Sequence, residues 1–230
     1  MHRHFDEQIL EVRRRLVRMG NTAVSMLSSA LRLLMERDGR HREAVDRQEE
    51  EVNGLQLEID DRVLKLTALQ QPVGSDVRFL FVASKIASEL ERIGDQVVNV
   101  CRSAEGVIQA PPLKPLVDLP AMAALAQKMV RDGLESLVRK DEELSRRVLR
   151  DEEGVDAFRD QIFRELLTYM MADPATIPRA LALLLISRSL ERVGDHATNI
   201  AEEVIFWIRG TDIRHHRRAE VRSPGETGDA

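Results

Sequence analysis

The chain has one cysteine, one tryptophan and one tyrosine among its 230 residues. The lone Cys101 can form neither an internal disulfide nor a thiolate zinc site within one chain, which points to a reducing cytoplasm. Aromatic residues amount to 3%, and the apolar content is mostly Leu, Val, Ile and Ala. That composition disfavours a sheet protein and suits long soluble helices. There is no Gly-rich phosphate loop, no Gly-x-Ser-x-Gly elbow and no Cys/His pair at ligand spacing, so the sequence offers no nucleophile and reads as a non-enzyme. The start, Met1-His2-Arg3-His4-Phe5-Asp6, lacks the apolar core of a signal peptide. The longest strongly apolar stretch, residues 181–186, is far too short to span a bilayer. Any membrane association is therefore expected to run through a partner. A formal charge of −5 argues against nucleic acid. The basic cluster Arg13, Arg14, Arg15 and Arg18 is expected to be a solvated helix face balanced by Asp6, Glu7 and Glu11.

What the chain does have is helical periodicity and repetition. Ile9, Val12, Leu16, Met19, Ala23, Met26, Leu27, Ala30, Leu33 and Leu34 step by three or four, the stripe of an amphipathic helix. Gly39 is the expected stop. A second helix over 41–69 carries Val45, Val52, Leu55, Ile59, Val63 and Leu66, and Pro72, Gly74 and Ser75 break it, with Ser75 the expected N-cap of a third helix over 76–107. Pro111, Pro112, Pro115 and Pro120 mark a linker. Three more helices are expected over 120–139, 142–171 and 175–209, then a mobile polar tail over 211–230. The fold class is therefore all-α: two tandem three-helix bundles related by internal duplication, over 1–110 and 120–210, joined by the linker 111–119.

The duplication is plainest in one pentapeptide. Glu91-Arg92-Ile93-Gly94-Asp95 returns as Glu191-Arg192-Val193-Gly194-Asp195, each four residues before an asparagine, Asn99 and Asn199. Like charges at i and i+4 repel by roughly 0.2–0.5 kcal/mol per pair, and an interior glycine costs about 1 kcal/mol more. A pattern this unfavourable, kept twice, calls for a compensating cation. In an antiparallel hairpin, residues equidistant from the turn share one level. The pair Glu49/Asn53 and the pair Glu91/Asp95 have their midpoint at Pro72; Glu152/Asp156 and Glu191/Asp195 have theirs between Asp173 and Pro174. Each hairpin should therefore gather four oxygen donors, roughly 30 Å from its turn. Such donors suit hard cations such as magnesium, manganese, calcium or ferric iron. A di-iron enzyme would want Glu-x-x-His from two helices, and no histidine here follows a glutamate by three. His196 reads as a polar helix residue. Bridging of the acids by Arg92 and Arg192 is the alternative to a metal. Asn53, where the second copy has Asp156, leaves the first site less acidic and is expected to weaken it.

The duplicated pentapeptide with its asparagine, the turn Pro72-Val73-Gly74-Ser75-Asp76-Val77-Arg78 and the segment Leu167-Thr168-Tyr169-Met170-Met171 resemble the PhoU family of phosphate-transport regulators, over residues 5–215. The resemblance implies a cytoplasmic homodimer of two three-helix bundles. It also implies metal ions, with iron, zinc, magnesium and manganese as candidates, at Glu49, Glu91, Asp95, Glu152, Asp156, Glu191 and Asp195. It further implies a negative regulator of the phosphate-starvation response, linking the ATPase subunit of a phosphate ABC transporter to a sensor histidine kinase. A reading from another class, a carboxylate-bridged metal enzyme or metal store, rests on the converging acids alone.

Overall fold

The computed structural model describes residues 2–211, with side chains from residue 5 onward. The tail expected beyond 211 lies outside the described residues. Six α-helices follow one another: α1 His2–Glu36, α2 His41–Gln70, α3 Ser75–Ile108, α4 Asp118–Arg139, α5 Glu142–Ala172 and α6 Ile177–Arg209, with a 3₁₀ turn Pro174–Thr176 before α6. Of the α1 stripe read from the sequence, every residue is buried except Ile9, which packs against the core from its edge. α3 and α6 bury 16 residues each, α2 only five and α5 seven. That difference makes α3 and α6 the inner helices and leaves α2 and α5 as amphipathic outer walls.

Local stops differ from those expected. α1 ends at Glu36, before Gly39, because Arg37 adopts the left-handed conformation (φ 56°). Its guanidinium Nη2 donates to the carbonyls of Ile108, at 2.6 Å, and of Ala110, closing the end of α3. Lys140, at the matching place in the second repeat, is also left-handed (φ 54°). Ser75 is the first helical residue of α3, and the N-cap position falls to Gly74, whose φ of 60° and ψ of −121° a side chain would resist. α4 starts two residues before its expected first residue Pro120, which is tolerated in the first turn because its missing N–H would have no intrahelical acceptor there.

α3 and α6 run antiparallel across the seam between repeats. Phe79 meets Trp207 with ring centroids 5.2 Å apart, and Phe81 meets Phe206 at 6.4 Å. Lys85 Nζ reaches Glu203 Oε1 at 3.0 Å, and Glu89 accepts from Asn199 Nδ2 at 2.9 Å. One turn further along, this register brings the buried Ile93 opposite the buried Val193 and Gly194. The two copies of the pentapeptide therefore meet back to back at an approximate two-fold axis inside one chain.

Candidate functional site

The glycine of each pentapeptide faces a valine of the neighbouring outer helix. A Cβ on Gly94 would lie 3.5 Å from Val52 Cγ1, and one on Gly194 would lie 3.4 Å from Val155 Cγ1. Val52 and Val155 each precede a candidate ligand, Asn53 and Asp156. Close approach of the two helices at Gly and Val is what sets the acids of both walls at one level. Both connections fall where the level argument requires, residues 71–74 in the first hairpin and Asp173 with the following 3₁₀ turn in the second.

In the second repeat Asp156, Glu191 and Asp195 come near one another, and the cation between Asp156 and Glu191 belongs to the chain. Arg159 Nη1 donates to Glu191 Oε1 from α6 and lies 3.3 Å from Asp156 Oδ1 on its own helix. Its Nε and Nη2 donate to Asp160 Oδ1 at 3.0 and 2.8 Å. These partners, Asp160 foremost, hold the guanidinium firmly protonated. Arg92 and Arg192, the bridges considered from sequence, make no ion pair among the described residues; they act on the acids only through their charge. Asp195 keeps an exposed face. Its carboxyl is nevertheless pushed above the ordinary range, first by the protein packed around it and then by the charges of Glu191 and Asp156. In the first repeat, burial pushes Glu91 up as well, helped by Asp95 and Glu49. Among the described residues no guanidinium forms an ion pair with these acids, and the residue matching Arg159 is Gln56.

Counting Arg159 changes the charge comparison between the sites. Glu49, Glu91 and Asp95 carry a formal −3; Glu152, Asp156, Glu191 and Asp195 carry −4, and Arg159 returns the second site to −3. Among the described residues no three His, Cys, Asp or Glu groups are drawn tightly enough to hold a metal as they stand. The donor chemistry in the first repeat fits a hard cation, since the carboxylates of Asp95 and Glu49 act on Glu91 through their charge. In the second, a metal would have to displace Arg159.

His196 faces away from the acids of its own hairpin, as the sequence indicates. Its Nδ1 lies 2.7 Å from Glu89 Oε2, across the seam, where Asn199 also donates. Burial opposes ionisation of Glu89, but these two hydrogen bonds outweigh it and lower its pKa. Glu89, Lys85 and Glu203 are the residues that sequence reasoning missed. The signal in the sequence was Glu203, an acid on the helix stripe of Ile200, Val204 and Trp207, and the structure leaves it 5% exposed.

The raised pKa of Asp195 carries a sign. Above its folded-state value the charged carboxylate costs stability; below the unfolded-state value it is protonated in both states and the cost vanishes. Asp195→Asn without added metal is therefore expected to raise the thermal midpoint at pH 7 to 8. The gain is about 0.2–0.5 kcal/mol, since solvent screens the exposed face, or about 1 °C for a chain this long. It should fade as the pH falls through the carboxylate range, and a lowered midpoint at pH 7 would contradict the repulsion.

Comparison with known proteins places these features in a family. The PhoU domain model matches residues 16–104 and again 119–204. The phosphate-specific transport system accessory protein PhoU homolog of Pseudomonas putida is 36% identical over 216 residues, covering 92% of this chain and 83% of the relative. Its namesake PhoU in Escherichia coli K12 is 33% identical over 211 residues, covering 92% and 88%. The crystal structure of PhoU from Pseudomonas aeruginosa superposes with a TM-score of 0.85 at 35% identity, covering 90% of this chain and all of that one. That of the phosphate transport system regulatory protein PhoU from Streptococcus pneumoniae, 24% identical with a TM-score of 0.82 over 91% of this chain and 99% of that one, shares the fold. These relatives are named for accessory or regulatory roles, none for an enzymatic one. With both repeats matched by the family model and a relative 36% identical across 92% of this chain's length, the chain belongs to the PhoU family.

Proposed function

We propose that the chain is an accessory protein of phosphate-specific transport and a negative regulator of the phosphate-starvation response. It works in the cytoplasm as a homodimeric adaptor between the ATPase subunit of a phosphate ABC transporter and a sensor histidine kinase. The supporting observation is the back-to-back meeting of the two acidic pentapeptides on rigid inner helices, in a chain matched twice by the PhoU domain. Among the described residues no helix is long and apolar enough to cross a membrane, so contact with a membrane system runs through protein surfaces. The metal reading stands beside this one. Glu49, Asn53, Glu91 and Asp95 would hold a hard cation in the first repeat, and Glu152, Asp156, Glu191 and Asp195 a second one in competition with Arg159. Such a cation supplies charge compensation that ties an outer wall to an inner helix.

Deleting the gene in its own host should raise a phosphate-starvation reporter in phosphate-rich medium to the starved level, and the wild-type gene should restore repression. An unchanged reporter would remove the regulatory reading. Protein carrying Glu191→Ala with Asp195→Ala should keep its helicity and contain less metal by elemental analysis. Equal metal content in the two proteins would remove the second cation site and leave the regulatory reading intact.

A further inference from the structure

The outer face of the α5/α6 hairpin carries two rows of protruding apolar side chains. On α5 these are Phe163, Leu167 and Met171, each four residues from the next and 51, 41 and 78% exposed. On α6 they are Ile177, Leu181 and Leu185, at the same spacing and 38, 49 and 54% exposed. Spacing of four keeps each row on one helix face, and at one end Phe163, Leu181 and Leu185 line a groove of about 660 Å³ with Leu184, Arg188 and, from the acidic site, Arg159 and Glu191.

The duplication supplies an internal control. Where the second repeat has Phe163, Leu184 and Leu185, the first has Asp60, Ser84 and Lys85. Ser84 Oγ donates to Asp60 at 2.6 Å, and Lys85 leaves the face for Glu203 while its ammonium covers the Phe81 ring at 4.5 Å. Phe206 closes on the same ring from across the seam. The counterpart of Phe206 is Gly106, and a Cβ there would meet nothing within 4 Å. Leu181, the counterpart of Phe81, has neither of these ring contacts, although the two are similarly exposed, at 49 and 53%. In the first repeat polar groups therefore interrupt a face on which Leu64, Val77 and Phe81 still stand exposed, whereas in the second both rows are apolar throughout.

We propose that this face docks a second copy of the chain, the two α5/α6 hairpins packing antiparallel into a four-helix bundle about a two-fold axis. This rests on the homodimer reading and names the surface that builds it. A hairpin with one apolar row on each helix is half of such a bundle, and a two-fold interface uses one patch twice. The charges fit the same register. With the axis at the row centres, Leu167 and Leu181, Arg188 lies seven residues beyond Leu181 and meets the residue seven before it, Pro174, beside Asp173. Arg188 has no ion-pair partner among the described residues, and the Asp173 carboxylate accepts only from the Ala175 N–H. Each copy thus offers the charge the other lacks.

Sedimentation equilibrium on the full chain tests this. The wild type should weigh twice the 26.1 kDa chain mass. Leu185→Glu should weaken association at least tenfold with helicity unchanged, because the position is exposed. Arg188→Asp alone should weaken it, and Asp173→Arg in the same chain should restore it by re-forming the pair across the axis. A wild type monomeric at every concentration overturns both the surface and the homodimer reading. A dimer indifferent to Leu185→Glu overturns the surface alone, and failure of the charge swap to rescue overturns the antiparallel register.

Discussion

Phe79→Ala is expected to cost about 3–5 kcal/mol of stability, the range for deleting a fully buried aromatic side chain. Phe79 is 1% exposed and among the largest fully buried side chains in the molecule. It stands where three helices from both repeats meet: its ring packs on Trp207 of α6, and the Arg13 guanidinium of α1 lies 5.2 Å above it. Arg13 is also 5.4 Å from the Trp207 ring, so alanine would remove one corner of a three-way cluster and leave a void that flanking helices cannot collapse into without shifting the seam. Denaturant unfolding should show a lower midpoint with an unchanged slope. Trp207, the only tryptophan, would report the transition from the site itself. A loss below about 1 kcal/mol, the ordinary effect of an average substitution, would mean that the repeats are not joined through this contact.

Gly20→Leu should be the next most damaging change, at about 3 kcal/mol, the upper end for overpacking a core. A glycine in mid-helix gives up about 1 kcal/mol relative to alanine, and α1 accepts that cost because Leu134 of α4 rests on the bare backbone. A Cβ at Gly20 would overlap the Leu134 methyl group, and Leu134 is itself 4% exposed. This is the crossing of the two first helices of the repeats, a second seam beside that of α3 and α6. The check is a double-mutant cycle. Leu134→Ala should relieve part of the Gly20→Leu defect, giving an interaction term of roughly 0.5–3 kcal/mol. Strict additivity would mean that the two side chains do not compete for one space.

Much of this architecture is legible in the sequence because it follows from local spacing. The turns near Pro72 and Pro174 come from a breaker and a level argument, neither of which needs tertiary information. What escapes is whatever depends on a distant partner. Arg37 was invisible as a helix stop because its reward, the carbonyls of Ile108 and Ala110, lies 71 and 73 residues away. Of the four clustered arginines, Arg14 and Arg18 do lie on the solvated face, paired with Glu11 and Glu51, while Arg15 is partly buried between Glu11 and Glu58. Arg13 turns inward, because an aromatic pair assembled from α3 and α6 offers it two ring faces. At the acidic site the bridging cation is Arg159 of the outer helix and not an arginine of the pentapeptide. Arg159 was within reach of sequence reasoning, standing three residues after Asp156 on the same helix face.

The seam between α3 and α6 shows what covalent tethering permits. Glu89 on one side faces His196 on the other, whereas the positions matching them, Ser189 and Gln96, are both uncharged and 8% exposed. Two separate identical repeats meeting across such an axis would carry every substitution on both sides, so an acid and its imidazole partner would appear in duplicate. Fusion into one polypeptide freed each half to specialise. The molecule is in effect a heterodimer whose stoichiometry is guaranteed by translation.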